Sequence, residues 1–593
     1  MSDHLAGRAF LGVKKLVKND QLVMSLFALL VGFAASAGAV AFREAIHLFQ
    51  LGFLGFGGEL VVSGVAVIPD WRLLLAPTLG GLVVGLLAKW VMPGGRPQGV
   101  AHVIEASALR AGRMSVRQGL GAATISAISI GSGASVGREG PAVHLGAALA
   151  SYVGRLVNFS RSQSRTLLGC GVAAAVAASF NAPIAGVFFA LEVVIGHYAL
   201  SAFAPIVIAS VCGTIVSRMY FGDFPAFVVP SHQITSFWEF PAFALLGIVC
   251  AFAAIALMWI AGRVEKGSVV LGDRIPRWLH PALAGFVVGG VALWYPEILG
   301  VGYEAMDTAL NGAYGFEMLV TLCVLKIAMT ALCVGAGFGG GVFSPSLFIG
   351  AMVGGAFGWL SRIPFPELHS GGGAYTLIGM GAVSGAVLGA PISTILIIFE
   401  LTGDYRLTIG VMIGVVMASV LTRVLYGHSF FADQLKRRGL ELQAGHDVAA
   451  LRSLRVHDLT RDDHVTVRQD ANCDEIRDNL RHAPQNELFV VDEKDRLVGT
   501  ITLADLGDVA FDKSQDPDHS ARDLARRNPP VLAMGDDLQR AIRMFTKVDE
   551  GLLAVVDDVE SMKLVACLHE RDVMRAYNQA LIAQRAEEHG ETL

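Results

Sequence analysis

Charge is scarce in this sequence: only 16% of its 593 residues are Asp, Glu, Lys or Arg, well short of the quarter typical of soluble domains. What charge there is nearly cancels, to a formal −5, and no long basic block occurs, which argues against a nucleic-acid partner. Cysteine is rare too. The seven thiols (Cys170, Cys212, Cys250, Cys323, Cys333, Cys473, Cys567) form no CxxC pair and have no histidine at metal spacing, so they read as small buried hydrophobes and no metal is expected. A Walker glycine loop is missing, so nothing points to nucleotide hydrolysis or to an enzyme. No cleavable leader is evident either, because the first long apolar run exceeds an h-region and no small-residue cleavage site follows it.

Apolar text fills the space that charge leaves. Hydrophobic residues make up 53% of the chain, and the mean hydropathy is +0.55. Tracts near bilayer length recur from about Leu22 to Thr422, among them LVMSLFALLVGFAASAGAVAF and FALLGIVCAFAAIALMWIAG. Others are too short to span or are broken by Gly and Pro, which predicts partial helices. The chain therefore reads as a polytopic membrane protein with the lipid bilayer as a partner. Lys14, Lys15 and Lys18 precede the first span, and Lys436, Arg437 and Arg438 follow the last, so the positive-inside rule puts both ends in the cytoplasm.

Near Leu440 the text changes to charged, amphipathic segments, and a soluble cytoplasmic domain begins around Leu451. It contains two similar halves, ELFVVDEKDRLVGTITLADL and GLLAVVDDVESMKLVACLHERDV. Each reads as strand, acidic turn, strand, then a helix whose start carries Asp505 or Asp572. The membrane part repeats as well. NAPIAGVFFALEVV from Asn181 matches GAPISTILIIFELT from Gly389, pairing Pro183 with Pro391 and Glu192 with Glu400. Duplicated halves with interrupted apolar segments in matching places point to a transport fold whose substrate site lies between the repeats.

Three segments share one grammar of glycines, a proline and then an apolar helix-forming run: PGGRPQGVAHVIEA from Pro93, GREGPAVHLGAALA from Gly137 and GGGVFSPSLFIGA from Gly339. Proline suits a first helical turn and glycine lets backbone approach a ligand, so each reads as a helix N-terminus. Such an end offers free N–H groups and about half a positive charge, which suits a dehydrated anion. The same glycines also serve close helix packing. Glu139 sits in the second segment. Its carboxylate could occupy the N–H site that an anion would use, or cap the helix, or pair with Arg138.

GREGP (Gly137 to Pro141), GGVFSP (Gly340 to Pro345) and FNAPIAGVFFALE (Phe180 to Glu192) resemble the signatures of the CLC chloride channels and chloride/proton exchangers, over about Leu22 to Gly439. The tail's halves resemble CBS domains. The resemblance implies an all-α membrane domain built as an inverted repeat with partial helices, followed by a cytoplasmic α/β CBS pair. Expected boundaries are an N-terminal cytoplasmic helix over 1–20, the anion-conducting domain over 21–440, and CBS halves over 451–515 and 516–593. It further implies a homodimer with one pore per subunit, chloride or a similar small anion as the permeant species, and a bacterial inner (cell) membrane as the location. Glu139 falls on the family's gating glutamate. Arg138 and Gly140 flank it, and the amides of Val342 and Phe343 fall on the central anion site.

This sequence departs from the family's pattern at three positions. Gly94, beside Gly95, stands where the family usually has an anion-facing serine, and Phe431 stands where it has a tyrosine, so both side-chain hydroxyls are missing. Val193 stands at the exchangers' internal proton glutamate, which favours a channel over an antiporter. Glu192 recurs as Glu400 and is expected to be structural. Arg96 is expected either to draw anions to the inner mouth or to be a solvated loop residue, and His144 to be a packed histidine or a titrating one. In the tail, Thr502, Asp505, His569 and Asp572 fit the CBS pattern for an adenine nucleotide (ATP, ADP or AMP). The two aspartates fit helix caps equally well.

Overall fold

A backbone in lipid must satisfy its own N–H and C=O groups, and the long apolar tracts do so as helices. The computed structural model describes residues 20–198, 200–222, 237–364, 370–440, 454–507, 519–548 and 550–589. The helix expected over 1–20 lies outside these apart from Asp20, as does the expected start of the tail at 451. The chain divides into two compact units, 1–441 and 442–593.

The first unit is helical. In order it has α1 (Asp20–Phe53), α2 (Val61–Val65), α3 (Asp70–Val91), α4 (Val100–Leu109), α5 (Val116–Gly131), α6 (Glu139–Leu156), α7 (Arg161–Phe180), α8 (Pro183–Phe189), which runs on as a π-helix over Ala190–Ile195, and α9 (Leu200–Phe221). Then follow α10 (Phe240–Leu271), α11 (His280–Ala292), α12 (Tyr303–Leu310), α13 (Phe316–Ala336), α14 (Phe343–Ser361), α15 (Gly372–Leu388), α16 (Pro391–Thr402), α17 (Tyr405–Leu425) and α18 (Phe430–Arg437). Among the described residues, seven helical stretches are long and apolar enough to cross a membrane, and α4, α8 with its π extension, α15 and α16 are shorter apolar helices. The protein is a multi-pass membrane protein.

The repeat is visible in the helix ends. α7 stops at Asn181 and α15 at Gly389, both in the left-handed region (φ 58° and 68°), and Pro183 and Pro391 then open α8 and α16. α6 crosses α7 where Gly146 faces Gly171, and a Cβ on either would fall 2.3–2.4 Å from the other's carbonyl oxygen. Gly350 and Gly379 do the same between α14 and α15, at 2.2–2.3 Å. Small residues thus let the helices of each repeat touch backbone to backbone. Gly137 and Gly341 join the repeats: each donates its N–H to the other's carbonyl at 2.7 Å in a short antiparallel bridge. A contact in which each residue plays the same part is what a local two-fold axis requires.

The second unit is α/β. β1 (Thr466–Arg468), β2 (Glu487–Val491), β3 (Leu497–Thr502) and β4 (Arg526–Arg527) form one sheet, and β5 (Val531–Ala533), β6 (Leu552–Val556) and β7 (Leu564–His569) form another. β1 runs parallel to β2 and β3 antiparallel to it, and β5, β6 and β7 repeat that pattern, with a register shift at Val490/Val491 and again at Val555/Val556. Phe489, Val491 and Leu497 from one half share a core with Leu552, Ala554, Leu564 and Cys567 from the other.

Candidate functional site

Arg138 and Glu139 begin α6 directly after the Gly137–Gly341 bridge. Glu139 is 2% exposed, which is costly for a carboxylate unless it is hydrogen-bonded. Its Oε1 accepts from the Tyr303 hydroxyl at 3.0 Å, and its Oε2 accepts a short hydrogen bond from the Ser344 hydroxyl in the first turn of α14. The carboxylate of one repeat therefore rests on the helix N-terminus of the other, where negative charge is favoured. Arg138 keeps a long ion pair to it, Nε lying 4.0 Å from Oε1, but makes its closer contacts elsewhere. Its Nη1 lies 2.6 Å from Glu59, which also pairs with Arg43 at 2.7 Å, and its guanidinium stacks over the Tyr303 ring at 4.8 Å.

Two separate cavities lie near this point. The first, about 100 Å³, is bordered by Glu139, Gly140, Val342, Phe343 and Phe431, together with His102 and Arg438. The second, about 40 Å³, is bordered by Arg138 and Tyr303 with Arg43, His47 and Glu59. Glu139 thus lines one cavity while its neighbour and its hydroxyl donor line the other.

Gly94 and Gly95 are not brought to the first cavity. They form a tight turn over Pro93–Gly95 with φ of 71° and 67°, and they border a separate pocket with Lys89, Arg277 and His280. The segment does start a helix, α4, whose first residues border the first cavity, but Pro97 precedes it by three residues, unlike Pro141 and Pro345 in the first turns of α6 and α14. α4 begins only at Val100, because Gly94 and Gly95 are both left-handed and break the helical path. Arg96 borders both spaces, but it is neither a free attractor nor a solvated loop residue: its Nη1 lies 2.7 Å from Glu265. Glu265 also holds Arg437, so the charge there is shared within a network.

Val193 lies in the π-helical stretch, partly buried against the apolar core. Glu192 beside it caps α16, accepting from the N–H groups of Ile392 (3.1 Å) and Ser393 (2.8 Å). Glu400 caps α8 in return, accepting from Ile184 (2.9 Å) and Ala185 (2.7 Å). His144 is fully buried, with its ring 6.3 Å from that of His102, whose Nε2 meets Arg438 at 2.7 Å. Sequence reasoning missed Tyr303, Ser344 and His102 as neighbours of the site. The serine, inside GGVFSP, and His102, inside PGGRPQGVAHVIEA, lay in segments with a local signal, and Tyr303 did not.

In the tail, Asp505 accepts from the Thr502 N–H and hydroxyl (2.8 and 2.7 Å) and from Arg526 Nε (2.7 Å). Those donors hold its carboxyl below the usual carboxylate range. Asp572 pairs with Arg461 at 2.7 and 3.1 Å. His569 turns instead to Asp463, with Nε2 3.0 Å from Oδ1. Glu487 is buried at the start of β2, and burial, with Glu550 nearby, pushes its carboxyl up to about 8.

Residues 80–423 match the family model for voltage-gated chloride channels, more than half of the chain. The chain belongs to that family. Residues 456–509 and 521–579 each match the CBS domain model. The voltage-gated ClC-type chloride channel ClcB of Escherichia coli is 30% identical over 413 residues, covering 68% of this chain and 97% of that one. The H+/Cl− exchange transporter ClcA of Vibrio cholerae is 32% identical over 314 residues, 52% of this chain and 67% of that one. A eukaryotic CLC transporter of known structure superposes with a TM-score of 0.61 at 20% identity, over 93% of this chain and 98% of its own, which is a likeness of fold.

Proposed function

We propose that this protein is a chloride or small-anion channel of the CLC type, acting as a homodimer in a bacterial inner membrane, with Glu139 as its gate. The observation that carries the reading is the carboxylate of Glu139, buried on the wall of one cavity while its neighbours Arg138 and Tyr303 line another, and seated on the Ser344 hydroxyl at a helix N-terminus. A permeant anion would use the same donors, so the side chain and the ion compete, and swinging the carboxylate out joins the two spaces. Gly140, Val342 and Phe343 would present backbone to the ion, and Phe431 an apolar wall. Arg138 would set the potential on the far side, and the Gly94–Gly95 turn would shape the inner approach beside Arg96. Val193 gives the inner half of the π-helix no proton carrier, which favours a channel.

A proton-coupled exchanger is the second reading, favoured by His102 on the wall of the cavity that Glu139 closes. Liposomes carrying a chloride gradient, with chloride and proton movement followed together, separate the two. Chloride flux without proton transport is expected, and uphill proton movement driven by chloride would sink the channel reading.

For the tail we propose regulation by an adenine nucleotide at Thr502 and Asp505 in one half and at His569 and Asp572 in the other. The arginines now on the two aspartates, Arg526 and Arg461, are suited to phosphate. Calorimetric titration of the full chain with ATP, ADP and AMP tests this, and absence of heat at millimolar nucleotide would overturn it.

A further inference from the structure

Cys567 and His569 are alternate residues of β7, so their side chains leave the strand on the same face. Asp463, in the segment before β1, meets them there. The Cys567 sulfur lies 3.2 Å from Asp463 Oδ1 and 3.9 Å from His569 Nε2, and His569 Nε2 lies 3.0 Å from Asp463 Oδ1. The thiol and the imidazole are buried, while the Asp463 side chain is 46% exposed and leaves a way in. Among the described residues this is the one group of three or more His, Cys, Asp or Glu whose donor atoms all lie within 4.8 Å of one another.

The arrangement converges on a point rather than running in series. In a relay of nucleophile, base and orienting acid, the two ring nitrogens would face different partners. Here the sulfur and the carboxylate oxygen both address Nε2, and each also addresses the other. Three donor atoms on one centre is a ligand set. Zinc bound at 2.3 Å to sulfur and at about 2.0–2.2 Å to nitrogen and oxygen holds its tetrahedral ligands about 3.3–3.7 Å apart, close to the separations here.

We propose that Asp463, Cys567 and His569 form a binding site for Zn2+ or a similar late first-row divalent cation, with the fourth position open to solvent. Mixed thiolate, imidazole and carboxylate ligation selects that class over Mg2+ and Ca2+, which want all-oxygen shells. A thiolate and a carboxylate neutralise the ion's charge. Arg461, the nearest cation, is turned to Asp572 and lies 4.0 Å from Asp463 Oδ2, so Oδ1 stays available. Asp463 belongs to the first CBS segment and Cys567 and His569 to the second, so the bound ion would clip the two halves together. It would also withdraw His569 from a nucleotide.

The test is a Co2+ titration of the full chain, purified in detergent with any polyhistidine tag removed. One equivalent per chain is expected to bring up thiolate-to-cobalt charge-transfer absorption, and Zn2+ to bleach it. Cys567→Ser should abolish the band while Cys473→Ser, at the other tail cysteine, keeps it. Asp463→Asn, at an exposed position with no bearing on the core, should weaken Co2+ binding at least as much as loss of an outer-shell partner does, about 10–100-fold. No charge-transfer band in the unmodified chain, or a band that survives Cys567→Ser, overturns the proposal. So does Co2+ affinity unchanged by Asp463→Asn.

Discussion

Glu192 caps the helix that carries Glu400, and Glu400 caps the helix that carries Glu192. Each carboxylate takes two backbone N–H groups at the opposite proline-started end, and Glu192 takes the Ser393 hydroxyl as well. Helix starts in an apolar surrounding leave N–H groups that need an acceptor, and each repeat supplies one for the other.

Removing either charge should therefore unlatch the repeats. Hydrogen bonds to a charged group contribute about 1.5–3 kcal/mol, so Glu192→Gln and Glu400→Gln should both lower the thermal midpoint in detergent. Glu192→Gln is expected to cost more, because its third partner is lost with it. Equal midpoints for both variants and the parent would refute mutual capping.

Tyr303→Phe and Ser344→Ala each remove one hydroxyl from the resting carboxylate of Glu139. Losing a charge-assisted bond of about 1.5–3 kcal/mol shifts the closed-to-open ratio by about tenfold or more, so both should raise unitary open probability in planar bilayers. Glu139→Gln removes the charge that competes with the anion and should alter gating. Flux from that variant as fast as the parent's and with the same pH profile would dismiss the gate assignment.

Phe431→Tyr returns a hydroxyl to the cavity wall, and Val193→Glu returns a carboxylate to the π-helix. The first should tighten chloride binding measured by calorimetry, by about 0.5–1.5 kcal/mol. The second should introduce measurable proton movement in the liposome assay.

Glu487 gives the tail a pH dependence of definite sign. Its folded carboxyl titrates near 8, above the ordinary value of 4.5, so folding favours the protonated form. That contribution is complete below about pH 4.5 and is lost as pH rises through about 8, at up to about 1.4 kcal/mol per pH unit between them. Hydrogen exchange at β2 in the full chain should quicken from pH 6 to 8 beyond the intrinsic rate. Glu487→Gln should flatten that excess.

The helices and the repeat were legible because lipid burial and proline-started turns leave strong local marks, as at Pro183 and Pro391. Glu139 was legible because a carboxylate among glycines in apolar text has few roles. Tyr303 was not, because it reaches the site from α12, far along the chain, on a helix with no glycine signature. Gly94 read as part of an anion-facing helix start, yet its left-handed φ, which the letters alone do not fix, turns it out of the cavity that Pro97, Gly99 and Val100 of the same segment border. Cys567 read as an inert hydrophobe, since the residue that gives it meaning, Asp463, lies 104 positions away.

The bridge between Gly137 and Gly341 also sets a clock. Helix shifts and rigid-body rocking run on microsecond to millisecond times, but two helix starts fastened to each other at 2.7 Å cannot part without breaking both hydrogen bonds of the bridge. On the channel reading proposed above, an anion would be admitted with that frame left standing, and the moving mass would be one side chain rather than a domain.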